Sequence, residues 1–181
     1  MNFKPTPLEG SYLIELKPFT DERGWFSRYY CKDLFAQIGH DKEWLQMNHS
    51  FTRKKGTLRG MHFQLAPFRE IKMVRCIAGV VYDVIIDLRK DSATFLQWFG
   101  AEISAANREM IYIPEGFAHG FQCLTDNCEL LYHHSAIYQP GHEGGIRYDD
   151  PAISINWPLP VEELSERDAN HPYLTTQFKG I

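Results

Sequence analysis

The chain has 181 residues, of which 44% are hydrophobic and 23% charged, and its net charge is −4. That length fits one domain, taken here as residues 1–181, with material for a real core. The acidic balance weighs against nucleic acid or an anionic membrane as the main partner.

In chain order, the opening "MNFKPTPLEGSYLIEL" has no basic region followed by a long apolar run, so no signal peptide is expected. "DERGWFSR" sets Arg23 beside Gly24, Trp25 and Phe26, grouping a cation with aromatic rings as a nucleotide site needs, or as an ordinary surface loop. "CKDLFAQIG" predicts a short helix ending at Gly39, with Asp33 near its start. "TRKKG" reads as a solvated turn. The strand-like "GTLRGMHFQ" then carries Arg59, His62 and Gln64, polar groups that are costly inside a fold unless paired or used. Arg59 and His62 have opposite parity, so a regular strand cannot aim both at one face; Gly60 is where a bulge would repair this.

"REIKMVRC" places Lys72 in another apolar run. Val80–Leu88 alternates, with Val80, Tyr82, Val84, Ile86 and Leu88 on one face and Asp83 and Asp87 on the other. The stretch "IAGVVYDVIID" is interrupted by Asp83 and is too short to span a bilayer. "RKDSAT" turns the chain into a strand over Leu96–Ser104, and "AANRE" turns it again into Met110–Ile113. "IPEGFAHGFQ" presents His119 near a tight turn. Cys128–Ser135 is a further strand, with Leu130, Tyr132 and His134 on one face, and at least one of His133 and His134 is expected to meet solvent. "LSERDANHP" predicts a capped turn from Ser165, stopped by Pro172 and carrying Asp168.

Many short strands, little helix and no repeat predict an all-β jelly-roll barrel with a few short peripheral helices. Alternation along each strand sends every second side chain into the lumen. The four cysteines form no C-x-x-C pair and read as reduced thiols of a cytoplasmic protein. Tyr132 is either a core tyrosine or a proton donor at the lumen, and Asp168 either a solvated cap or the partner that fixes the tautomer of His62. "GTLRGMHFQ" and "IPEGFAHGFQ" also resemble the two cupin motifs, which raises a metal-dependent oxygenase or isomerase with His62, Glu70 and His119 as ligands. Gln64 stands where that motif has its second histidine, and glutamine is a poor ligand.

From "DERGWF" to "LSERD" the chain resembles the dTDP-4-dehydrorhamnose 3,5-epimerase family, through "NHS", "GTLRGMHFQ", "IKMVR", "YDVIIDLRKDSATF", "IPEGFAHGFQ", "LLYHHSAIY" and "GIRYDDPAISINWP". The resemblance implies a metal-independent cupin jelly roll with no cofactor, a homodimer whose subunits share residues between their sites. It implies epimerisation at C3, C5 or both of a nucleotide-linked 4-keto-6-deoxyhexose. His62 matches the general base, Asp168 its partner, Tyr132 the general acid and Lys72 the cation at the enolate oxygen. Arg23, Gln46, Asn48, Arg59, His119, Tyr138 and Glu143 match substrate or nucleotide contacts, and Phe26 falls within the same motif as Arg23.

The residues fit that chemistry. A hydrogen beside a ketone is acidic, and inverting the carbon needs a base of near-neutral pKa, an acid on the other face and a cation at oxygen. The sequence departs from the family at Arg28, commonly Glu, at Met47, commonly Asp, at Phe63, commonly Tyr, at "REIK", commonly "AQxK", and at Arg167, commonly Lys. These changes surround substrate recognition. An Arg28 guanidinium facing the base donates where the family's Glu accepts, which would suit cytosine and a CDP-linked sugar. A non-catalytic sugar-nucleotide binding protein is the remaining alternative, and it has no use for an opposed acid and base.

Overall fold

A computed structural model describes residues 1–181. The chain forms thirteen strands and two short helices. One six-stranded sheet contains β1 (Asn2–Pro5), β2 (Tyr12–Glu15), β10 (Met110–Ile113), β7 (Lys72–Ala78), β12 (Cys128–His134) and β5 (Gln46–Thr52), in that spatial order. A five-stranded sheet contains β13 (Glu143–Gly145), β6 (Leu58–Gln64), β11 (Phe117–Cys123), β8 (Val80–Asp87) and β9 (Trp98–Ser104). A hairpin of β3 (Phe19–Asp21) and β4 (Gly24–Phe26) belongs to neither. All pairings within these sheets are antiparallel, as the jelly-roll expectation requires.

The inner faces of the two large sheets pack on each other. Val74, Cys76, Ile111 and Leu130 come from the first, Val81, Ile85, Ile103 and Phe121 from the second, and all are buried in one cluster. Each sheet is also covered outside. Met61, Val84, Ile86 and Ala118 lie beneath the C-terminal segment, against Trp157, Leu174 and Phe178. Ile14, Met73 and Met110 lie beneath Phe35 of the helix α1 (Lys32–Ala36) and beside Tyr30 and Trp44.

Double coverage buries both faces of β8 and corrects one expectation on β12. Only Val80 and Tyr82 of β8 are even partly exposed, and Asp83 and Asp87 are fully buried. Asp87 organises the "RKDSAT" turn, accepting from Arg89 Nε at 2.9 Å and from Ser92 Oγ and Thr94 Oγ1. Those bonds outweigh the effect of burial and hold its carboxyl down at about 2. On β12 both histidines are buried rather than turned to bulk solvent. His134 shares the inner face with Tyr132, while His133 is roofed by Tyr29 and Trp44, with ring centroids 5.6 and 5.9 Å away. An edge-of-core strand would leave one face wet; here a peripheral segment closes it.

Elsewhere the expected elements form close to where the turn chemistry places them. α1 is capped at Gln37 and followed by Gly39 at φ 81°. β9 starts two residues late because Leu96 takes φ 62° within the turn. The helix α2 (Glu166–Ala169) begins at an N-cap from Ser165, whose side chain accepts from the Asp168 N–H.

Candidate active site

A cavity of about 740 Å³ opens between the two sheets. Asn48, Ser50, Lys72, Tyr132 and His134 line it from β5, β7 and β12 of the six-stranded sheet. Arg59, His62 and His119 line it from β6 and β11 of the other. Ser165, Arg167 and Asp168 close one side from α2 and its cap. A hollow of about 310 Å³ shares Asn48, His62, Lys72, His134 and Arg167 with it and adds Gln46, Gln64, Glu70, Tyr138 and Glu143.

The bulge at Gly60 makes the arrangement possible. His62 pairs with His119 and Arg59 with Phe121, so three steps on β6 face two on β11. The extra residue cancels the parity difference, and both Arg59 and His62 reach the cavity. Gly60 has φ 129°, and a Cβ there would stand 2.5 Å from the Gly120 Cα and 2.9 Å from the His119 carbonyl oxygen. No side chain fits that crossing.

Three imidazoles that line the cavity each pair with a carboxylate. His62 Nε2 lies 2.6 Å from Asp168 Oδ1. The other Asp168 oxygen accepts from the Gly60 N–H at 3.1 Å. Burial pushes the Asp168 carboxyl up, but the bonds and charge of His62, with the Gly60 N–H, overcome this and leave it below its ordinary value. His119 Nε2 lies 2.9 Å from Asp83 Oδ2. That carboxyl is pushed up by complete burial, only partly offset by His119. His134 Nδ1 lies 2.9 Å from Glu70 Oε2, and Lys72 Nζ stands 3.0 Å from Glu70 Oε1. Burial would raise the Glu70 carboxyl; His134 and Lys72 together bring it below its usual range.

Tyr132 contacts Ser50 Oγ through its hydroxyl at 3.0 Å. Burial raises its pKa well above the ordinary phenol value, so it carries its proton at neutral pH. Arg59 donates from Nε to Thr52 Oγ1 at 3.0 Å. Tyr138 donates from its hydroxyl to Glu143 at 3.0 Å, and its N–H to Gln46 at 2.9 Å. Arg167 faces Glu143 at 3.8 Å.

Eleven of the fourteen residues singled out in the sequence therefore surround the two connected hollows. Arg23, Phe26 and Arg28 do not. Arg23 and Phe26 sit on the β3–β4 hairpin and line a separate concavity, with Arg23 paired to Asp21, and Arg28 is exposed just beyond. Sequence reasoning missed Ser50 and the pairing of Asp83 with His119. An acidic residue in the middle of an apolar strand was the available signal for Asp83. His62, Glu70 and His119, weighed above as metal ligands, each turn to a separate partner. The residues whose ligand atoms gather within 4.8 Å are His62, Asp168 and His171.

Gly60→Ala is expected to destabilise the fold by about 1–3 kcal/mol through overpacking and a disallowed φ. It should also cut activity, because Arg59 and His62 lose their common aim. Urea denaturation and turnover measure the two; a variant unchanged in both would show that the bulge is dispensable.

The family model for dTDP-4-dehydrorhamnose 3,5-epimerase matches residues 5–176. The chain is 44% identical over 171 residues to the dTDP-4-dehydrorhamnose 3,5-epimerase of Salmonella typhimurium, covering 93% of each. The crystal structure of that enzyme from Elizabethkingia anophelis superposes with a TM-score of 0.94 at 37% identity, covering 98% of both chains. A Legionella pneumophila dTDP-6-deoxy-D-glucose-3,5-epimerase, solved in complex with dTDP-4-keto-L-rhamnose, superposes at 0.90 with 36% identity over 95% of this chain and 92% of that one. By its match to the family model, its relatives and its jelly roll, the chain belongs to the dTDP-4-dehydrorhamnose 3,5-epimerase family.

Proposed function

We propose that the protein inverts C3, C5 or both of a dTDP-linked 4-keto-6-deoxyhexose by removing a proton from one face and returning one to the other. The observation that carries this is the placing of His62 and Tyr132 on facing sheets across one cavity, an imidazole opposite a protonated phenol. His62 takes the proton beside the ketone. Asp168 holds the ring and balances the imidazolium as it forms. Lys72 sits on the same wall as Tyr132 and offers its ammonium to the oxygen that becomes an enolate. Tyr132 then protonates the carbon from the opposite side. Arg59, His119, Asn48 and Gln46 ring the remaining space as hydrogen-bonding groups for the sugar and its diphosphate. Arg28 stands exposed, away from these groups in its own chain, and nothing within that chain's cavity favours CDP over dTDP.

The same reading makes the working unit a cytoplasmic homodimer of single-domain chains. Phe19, Trp25 and Phe26 are 78%, 49% and 73% exposed on the hairpin, a large apolar display for an isolated chain. A second copy receiving that hairpin would gain Arg23 and Phe26 for its own cavity. The four cysteines are unpaired, in keeping with a reducing compartment.

His62→Ala is expected to abolish solvent exchange at both C3 and C5, by a factor on the order of 10²–10⁴. Tyr132→Phe should retain exchange while yielding no inverted product. Deuterium uptake followed by NMR reads both, and full epimerisation by the Phe variant would sink Tyr132 as the acid. Co-expressed Arg23→Ala and His62→Ala chains test the shared site. Mixed dimers hold one intact cavity of two, and since random pairing makes about half of the dimers mixed, the co-expressed population should restore about a quarter of wild-type activity. No recovery in verified mixed dimers would argue that each subunit works alone.

A further inference from the structure

His171 lies beside the cavity with its Nε2 buried and without a hydrogen-bond partner. Its position is built into the fold. The ring rests flush on Gly145, where a Cβ would fall 2.2 Å from both Cε1 and Nε2. Gly145 in turn is the β13 residue paired with His62 on β6. His62 and His171 consequently meet edge to face, with centroids 5.7 Å apart. Asp168, three residues before His171, completes the group. Its Oδ1 is 2.6 Å from His62 Nε2 and 3.7 Å from His171 Nε2.

We propose that His62, Asp168 and His171 form a binding site for a divalent zinc-class ion, and that filling it shuts off the epimerase. Two imidazole nitrogens and one carboxylate oxygen are the donor set of a borderline cation. Zinc bonds such atoms at about 2.0–2.2 Å and often leaves a fourth position to water. The three atoms lie within 4.8 Å of one another, so an ion among them needs His171 to close in and the 2.6 Å contact of His62 with Asp168 to open. His62 is the most open of the three side chains, 36% exposed, and gives the ion its approach from the cavity. Arg167, the adjacent cation, turns towards Glu143.

Zinc would take the Nε2 position that carries the proton shared with Asp168, and that proton passes through solvent to Nδ1, so the imidazole stays neutral. An imidazole coordinated through Nε2 with its hydrogen on Nδ1 has no lone pair left to accept a substrate proton. Inhibition therefore rests on the reading of His62 as the base, whereas binding does not.

The test uses zinc chloride alone, titrated calorimetrically into chelator-treated wild type, His171→Ala and His171→Gln. Solvent exchange at C3 and C5 is measured with and without zinc, each variant against its own zinc-free rate. The wild type should take one equivalent and lose exchange, and a chelator should restore it. Both variants should bind at least about tenfold more weakly and resist inhibition in proportion. Absence of binding by the wild type, or equal affinity in a folded variant, would overturn the site and leave the epimerase reading intact. His171-dependent binding with undiminished exchange would establish the site and remove His62 from its role as base.

Discussion

The hydrogen bond between His62 and Asp168 joins two parts of the chain that are 106 positions apart, and the site depends on it. One partner belongs to a barrel strand, the other to a four-residue helix near the C-terminus. Two further interactions fix Asp168. The Gly60 N–H, freed by the bulge, donates to its second oxygen. The Ser165 hydroxyl caps the helix at the Asp168 N–H, a contact worth about 1 kcal/mol. The bulge that aims His62 into the cavity therefore also provides the donor that anchors its partner.

Charge elsewhere in the cavity is balanced in the same local way. An unpaired carboxylate buried like Glu70 or Asp83 would be costly, and each has a cationic or imidazole neighbour within 3.0 Å. Glu70 ties Lys72 and His134 together and leaves Lys72 with a defined position on the wall shared with Tyr132. In "REIK" this carboxylate stands where the resembling family commonly has glutamine, and His134 is the neighbour that answers its charge. Tyr132 needs no such balance, because burial keeps it neutral until it gives up its proton.

Much of this was legible in the residues. The strands over Met110–Ile113 and Cys128–His134, the bulge at Gly60 and the cap at Ser165 follow from alternation, parity and turn chemistry, all local properties. What stayed hidden depends on distant segments. The burial of His133 comes from Tyr29 and Trp44, and the two-sided burial of β8 from Trp157 and the C-terminal tail. The alternation put Asp83 on the correct face of its strand but could not say that this face looks at His119. The hairpin shows the same limit at a larger scale. "DERGWF" reads as part of a site, yet in its own chain it stands apart from the cavity, because its proposed destination is another molecule.

The proposed mechanism divides base and acid between separate groups on opposite walls. Its most direct test is the origin of the hydrogen on the inverted carbon in deuterated water. Product formed by the wild-type protein should carry solvent deuterium at every inverted centre from the first turnover, because the proton taken by His62 is not the one returned by Tyr132. Inverted product that retains the substrate's own hydrogen would mean that one group serves both faces, and would contradict the account.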